Sequence, residues 1–354
     1  MLESERIADV LKDELSTGKW KVGAKLPSVD DLCARFGTGG FAVRRAVRKL
    51  RDEGLVVLKR HVGACVTAKA SCAWKGRVAF VAVGTPGSYF IHKLSVGLAE
   101  RFRQDGWDLT SIFLETPKDS ASNVDLVARL AANDISFAIF YCSEWQFVEV
   151  FDHANVPYVV LNGFARDYPN ARAVIREETR TCYGELIRSL RARHLNTVLE
   201  VDFERITDLS FKLQFFKAGI NVQRLFCKWD YSNPLRLIDV KRCGHAAVAD
   251  YFAGERHRKH PPDVILFDDD YLAEGGIVAL LEAGLRIPED IKVVSFSNRG
   301  NEPILGVSLA RIENDPYTYG DAVAGYVLKL LSGRRASPPR IAYRFISGAS
   351  LQGE

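Results

Sequence analysis

No apolar run in this chain of 354 residues approaches the roughly 20 residues that a membrane-spanning helix requires. The first residues are charged and lack the apolar core of a secretory leader, so a cytoplasmic protein that meets no membrane is expected. Cysteine is scattered: Cys33, Cys65, Cys72, Cys142, Cys182, Cys227 and Cys243 are odd in number and contain no C-x-x-C, a pattern for free thiols rather than disulfides or zinc. Gly84 to Gly87 lies between strand and helix patterns but lacks the G-x-G-x-x-G spacing of a dinucleotide site. His257 and His260 sit in the charged segment ERHRKHPP and read as solvated. Asp268-Asp269-Asp270 has no His or Glu at ligand spacing nearby and reads as a loop capping the helix that starts at Tyr271. Ser88 has no His/Asp pair to activate it, so no catalytic residue, metal or cofactor is predicted. There is no repeat of 20–50 residues and no low-complexity tract.

What the chain has is enough apolar material for sizeable cores, 47% of its residues, and an uneven distribution of charge. Residues 1–75 hold 15 Lys and Arg against 9 Asp and Glu; the remainder holds 33 against 35. A basic head on a slightly acidic body is the distribution expected when only the head meets phosphate.

The head is organised around Leu26 to Val66. Ser28 is placed to cap a helix, with Asp31 in its first turn; Gly37 ends it and Gly39-Gly40 makes a turn. The next helix carries Val43, Ala46, Val47 and Leu50 on one face and Arg44, Arg45, Arg48, Lys49 and Arg51 on the other. Gly54 closes it, and the two short strands around His61-Val62-Gly63 read as a wing. An earlier helix over 3–17, with Ile7, Val10, Leu11 and Leu15 on one face, would pack behind this unit. A basic amphipathic helix taken by itself could be a solvated surface helix; in this order of elements it is built like a recognition helix.

The stretch resembles the GntR-type winged helix-turn-helix. The resemblance rests on Leu26-Pro27-Ser28, Leu32, Val43-Arg44, Ala46, Leu50 and Glu53-Gly54-Leu55. It implies a DNA-binding domain over 1–68, with phosphate and groove contacts from Ser28, Gly39, Gly40, Phe41, Arg44, Arg45, Arg48, Arg60, His61 and Gly63. Where the family usually has Ser-Arg-x-Thr, this chain has Gly39-Gly40-Phe41-Ala42, so Phe41, which cannot donate a hydrogen bond, is expected on a thymine methyl or a sugar.

Residues 69–75 read as a linker. From Gly76 onward, strand patterns (RVAFVAV, WDLTSIF, FAIFYC, YVVLNG, then AVIRE opening a second run with TVLEVD, VILFD and KVVSFS) alternate with helices, the mark of parallel α/β layers divided into two lobes. GLRIPEDIKVVSFSN and Asp270-Tyr271-Leu272-Ala273-Glu274-Gly275 are similar to motifs of LacI-family sensors of the periplasmic-binding-protein fold. That resemblance spans nearly all of 76–354. It implies an effector-binding and dimerisation domain whose chain crosses between lobes near 162–164, 298–300 and 333–340. The family's ligand-binding Asp and Arg positions are replaced here. The polar and aromatic groups placed to serve instead are Ser88, Tyr89, Ser143, Glu144, Trp145, Asn162, Asp270, Ser297 and Asn298, with Phe90 either stacking on a ligand or filling the lobe.

The expectation is a DNA-binding transcriptional regulator, acting as a repressor and as a homodimer on a double-stranded operator. A small-molecule effector other than a common monosaccharide would control it. The alternatives are a regulator whose sensor serves only for dimerisation, and an enzyme fused to a DNA-binding head. The latter would need a Schiff-base lysine that no sequence context supplies.

Overall fold

The computed structural model describes residues 3–16, 19–67, 75–83, 87–114, 120–132, 134–141, 145–203, 210–228, 236–254 and 261–352. They fall into two compact units, residues 1–76 with 103–108, and residues 77–102 with 109–354. The greater part of the expected linker, 68–74, lies outside the described residues.

The first unit contains α1 (Glu3–Ser16), α2 (Val29–Phe36), α3 (Gly40–Asp52) and an antiparallel pair, β1 (Val56–Lys59) and β2 (Gly63–Val66). Each helix turns one apolar stripe inward. Ile7, Leu11 and Leu15 meet Leu32, Val43, Ala46 and Leu50, and Val56 and Val66 close the core from the wing. Val10 stays on the exposed rim of α1, contrary to the stripe read from sequence. Gly37 ends α2 in the left-handed conformation that its position requires. Gly39 is the N-cap of α3 and Gly40 its first residue, so the glycine pair forms the helix start and only in part a turn.

In the second unit, β3 (Gly76–Val83), β4 (Trp107–Leu114), β5 (Ile135–Tyr141), β6 (Tyr158–Leu161) and β7 (Ala173–Ile175) form one sheet in the order β4-β3-β5-β6-β7. Around it lie α4 (Tyr89–Gln104), α5 (Ser120–Ala131) and α6 (Trp145–His153). A second sheet takes the order β10-β9-β11-β12-β13-β15. Its strands are β9 (Thr197–Phe203), β10 (Asn221–Cys227), β11 (Val264–Phe267), β12 (Lys292–Asn298), β13 (Ala310–Asn314) and, antiparallel at the edge, β15 (Arg344–Ile346). Its helices are α7 (Arg180–Ala192), α8 (Ser210–Lys217), α9 (Leu237–Ala253) and α10 (Asp270–Glu282). The run Val264-Ile265-Leu266-Phe267 shows why the sheet is covered on both sides. Val264 and Leu266 enter one apolar core, Ile265 and Phe267 the other, and all four are buried.

The passages between sheets differ from those expected. β7 pairs with β6 and therefore completes the first sheet rather than opening the second, so the first passage lies at Arg176 and not at 162–164. β8 (Glu177–Glu178), directly after it, pairs with β14 (Ile341–Ala342). Nor does the chain leave the second sheet at 298–300, because β13 lies parallel to β12 in the same sheet. It leaves at Asp315, where α11 (Pro316–Leu331) turns back to pack on α4. The helix approach is close: a side chain at Gly97 would meet the Tyr317 carbonyl, and one at Gly320 the Leu94 carbonyl. The return falls between α11 and β14, in the span that contains 333–340. β13 escaped the sequence reading because its buried Ala310 and Ile312 alternate with Arg311 and Glu313 in a strand of five residues.

Candidate nucleic-acid face and inter-lobe cleft

Capping and core packing fix α3 in the first unit. With Val43, Ala46, Val47 and Leu50 buried, Phe41, Arg44, Arg45, Arg48 and Lys49 must face out, and all five are exposed. Phe41 is 78% exposed, an unusual position for a phenyl ring with no partner in its own fold. The Arg44 guanidinium folds back over Gly40, one turn earlier on the helix. The wing tip is a turn closed by Val62 N–H donating to the Lys59 carbonyl (3.1 Å), with His61 and Gly63 both at positive φ and Arg60 exposed beside them.

Charge pairing leaves most of this face open. Arg35 is held by Glu14, Lys12 by Glu53 and Arg51 by Asp52. Among the described residues no carboxylate pairs with Arg44, Arg45, Arg48, Lys49 or Arg60. Ser28 is the exception among the expected contacts. Its hydroxyl donates to Asp31 Oδ2 (2.6 Å) and accepts from Asp31 N–H (3.1 Å), a closed capping box. Those hydrogen bonds hold the Asp31 carboxyl below its ordinary range and keep a negative charge at that helix start, which opposes the phosphate contact expected of Ser28.

In the second unit the cleft lies at the carboxyl ends of the strands. Asp269 caps α10 by accepting from the N–H groups of Tyr271 and Leu272 (2.8 and 3.1 Å). This fixes Asp270, 2% exposed, with Oδ2 accepting from the Asn298 and Asn301 side-chain amides (3.0 Å each) and from Asn298 N–H (3.3 Å). Burial raises the Asp270 carboxyl above its usual range against the pull of those donors. Asp270 Oδ1, Ser297 Oγ and Asn314 Nδ2 are buried with no partner among the described residues. Tyr89 spans the lobes: its N–H donates to the Tyr271 hydroxyl (3.1 Å) and its hydroxyl donates to the Arg299 carbonyl (3.0 Å). Ser88 Oγ accepts from Ile91 N–H at the start of the same helix (3.5 Å).

The sequence-derived residues therefore divide. Ser88 and Tyr89 stand at the start of α4 in the first lobe, and Asp270, Ser297 and Asn298 at the start of α10 and the end of β12 in the second. Asn162 is exposed, with φ of 57°, and its N–H donates to the Ile175 carbonyl, so it shapes the end of β6. Ser143, Glu144 and the side chain of Trp145 lie outside the described residues, as do Gly84, Thr207-Asp208, His257 and His260. Phe90 lies 5.1 Å from Tyr141 and 6.1 Å from Tyr319, ring centre to ring centre.

Sequence reasoning missed two groups. Asn301 and Tyr271, which complete the shell of Asp270 and Tyr89, sit outside the conspicuous polar positions of the motif. Glu177, Tyr183 and Tyr343 gather where β8 and β14 pair, more than 150 positions apart, and only the pairing register brings them together.

Comparison with known proteins gives each unit a relative. Residues 3–66 match the model of bacterial regulatory proteins of the gntR family, and residues 219–351 that of the periplasmic binding protein-like domain. The head is thus similar to gntR-type domains, and the C-terminal part of the body to periplasmic-binding-protein-like domains. The histidine utilization repressor of Klebsiella aerogenes is 28% identical over 108 residues, 30% of this chain and 45% of that protein. The HTH-type transcriptional repressor PurR of Yersinia enterocolitica is 30% identical over 84 residues, 24% of this chain and 25% of that one. The chain thus spans less than half the length of these curated relatives. The periplasmic-binding-protein-like body has the fold of LacI-family regulators. One from an Arthrobacter species, in complex with lactose, superposes with a TM-score of 0.63 at 18% identity over 78% of this chain and 99% of its own. Another from Enterococcus faecium, with bound ribose, gives 0.60 at 16% over 77% and 97%.

Proposed function

We propose that the protein is a transcriptional repressor that binds double-stranded DNA through α3 and the wing and is controlled by a small effector between the lobes of its body. The observation that carries this reading is the set of exposed cations on α3 and the wing, unpaired among the described residues, in a gntR-type head where Lys12, Lys19, Arg35 and Arg51 are each held by a carboxylate. Arg44, Arg45, Arg48 and Arg60 would contact phosphates and the groove, Gly39, Gly40, His61 and Gly63 would let backbone approach it, and Phe41 would pack on a thymine methyl or a sugar. One such head makes few contacts, so the working form is a homodimer reading half-sites about one helical turn apart, ~34 Å, or a multiple of that. The first-lobe surface helices would carry the dimer. The site of action is the cytoplasm.

Effector control requires unequal affinity for open and closed lobes. Tyr89, Asp270 and Asn298 are the groups that would sense closure, because they join the lobes or order the cleft wall. Common hexoses and pentoses should bind weakly, since Ser297 offers a buried hydroxyl where a bidentate carboxylate would serve vicinal hydroxyls. A fluorescence-anisotropy titration of the full chain against duplexes tiled across the DNA flanking its own gene tests the reading. A duplex bound at least a hundredfold more tightly than random DNA is expected; uniform weak binding to every duplex would overturn it.

A further inference from the structure

The chemical character of the cleft limits what can occupy it. From the first lobe come the rings of Phe90 and Tyr141, with Phe90 backed by the buried Tyr319. From the second come Phe296 and Tyr343, ring centres 6.0 Å apart, with Phe296 backed by the buried Tyr183 (5.9 Å). The β8–β14 register sets Ile341 beside Glu177, and Tyr343 N–H donates to the Glu178 carbonyl (3.3 Å), so Tyr343 and Glu177 are neighbours; burial first and then the Glu177 charge push the Tyr343 hydroxyl well above the usual tyrosine range. Glu177 and Tyr343 are nevertheless only half-buried by surface. Groups enclosed by protein yet reachable by solvent form the floor of a cleft.

The charges around that floor do not cancel. Arg299 is paired with Asp315 (3.0 Å), Arg340 with Glu178 (3.0 Å), and Arg311 with Glu313 (2.7 Å) and Glu302 (3.6 Å). The Arg176 guanidinium lies over the Phe164 ring, 4.9 Å from its centre. Glu177 has no ion pair or side-chain hydrogen bond to any described residue. Burial raises its carboxyl above the ordinary range, which Arg176 offsets only in part. A second acceptor, Asp270 Oδ1, is also without a partner among the described residues. A carboxylate or phosphate entering here would have to draw Arg176 from the Phe164 ring or break one of these pairs to find a cation, with Glu177 beside it. A cation would meet an acceptor already in place, and a flat one would also gain aromatic surface.

We infer that the effector class is a planar, ring-bearing organic cation, such as an aromatic amine or amidine, with its charged nitrogen on Glu177 and its ring against Tyr343 and Phe296. The inference rests on the proposed effector role of the cleft and narrows the small effector to nitrogen bases. A sugar would leave Glu177 without a charge partner.

The test is calorimetry on the full chain with three cations, tryptamine, phenethylamine and benzamidine, and one anion of matched shape, indole-3-acetate. Anisotropy with the tightest duplex from the flanking DNA is measured on the same preparation. At least one cation should bind and change DNA affinity, with indole-3-acetate at least tenfold weaker than tryptamine. Glu177→Gln should weaken the bound cation at least tenfold while leaving DNA binding in its absence unchanged. Tyr343→Leu, which keeps the carboxylate, should weaken it as well. Binding of the anion as tight as the amine, no binding of any cation, or an unaffected Glu177→Gln would each overturn the class. If DNA binding persists in those cases, the regulator reading stands without it; if no duplex is bound specifically, that reading fails on its own terms.

Discussion

Arginine is used in opposite ways in the two units. On α3 of the head, Arg44, Arg45 and Arg48 are exposed and have no carboxylate partner among the described residues. In the body, Arg224 on β10 is 14% exposed and clamped between two buried carboxylates of β9, Glu200 (2.6 Å) and Asp202 (2.9 Å). Its guanidinium also lies over the Phe226 ring. The first kind of arginine adds nothing to the fold that water would not supply, and its charge is available to a partner. The second completes the fold and is available to nothing. Burial and pairing, more than residue type, separate a binding cation from a structural one.

Substitutions to alanine sharpen that contrast. Arg224→Ala should give the largest effect: it leaves two carboxylates buried without their cation, a loss of about 3–5 kcal/mol, read as a lower urea midpoint for the body. The double change of Arg44 and Arg48 to alanine should leave both unfolding midpoints in place while DNA affinity falls by roughly a hundredfold at low salt. A destabilised head in that variant, or an unchanged midpoint in Arg224→Ala, would break the distinction. Tyr89→Phe removes one hydrogen bond between the lobes, worth about 0.5–1.5 kcal/mol. Faster amide exchange over 298–301 is expected, with none in the head.

The smallest effect is electrostatic and confined to the head. The Arg35 guanidinium, with Lys19 assisting, lowers the Glu14 carboxyl from 4.5 to about 2. A carboxyl depressed on folding contributes stability that is present above its unfolded value and is lost as pH falls toward the folded one. Head stability should therefore drop between about 4.5 and about 2. Because Arg35 and Lys19 are exposed, solvent screens the pair and the loss should be about 1 kcal/mol or less. Glu14→Gln should flatten that part of the pH profile.

The same contrast explains how much could be read in the sequence. The head's site is local: helix period, caps and basic face lie within 41 residues, so Val43 to Leu50 already dictate which arginines face outward. Ser28 was only partly legible, because a capping hydroxyl and a phosphate-binding hydroxyl look alike until the Asp31 contact is seen. The body's parallel fold was legible from its apolar strands and the motif at 284–298. Its short strands were not: β14 and β15 bury too few residues to leave a pattern, and β13 buries Glu313 and Asn314 beside Ala310 and Ile312, so its buried positions are not all apolar. The cleft was half legible: Tyr89 and Asp270 stand at motif positions, whereas Glu177 and Tyr343 become neighbours only through the β8–β14 register, which no local pattern encodes.

The most direct test of the central claim, that the unpaired cations of α3 meet DNA, is the salt dependence of specific binding. Affinity of the intact chain and of Arg44→Ala for one duplex would be measured from about 50 to 200 mM salt. Each phosphate contact contributes about 0.9 to the logarithmic slope, so the variant should bind more weakly and lose about one unit of slope. Equal slopes and equal affinities would contradict the account.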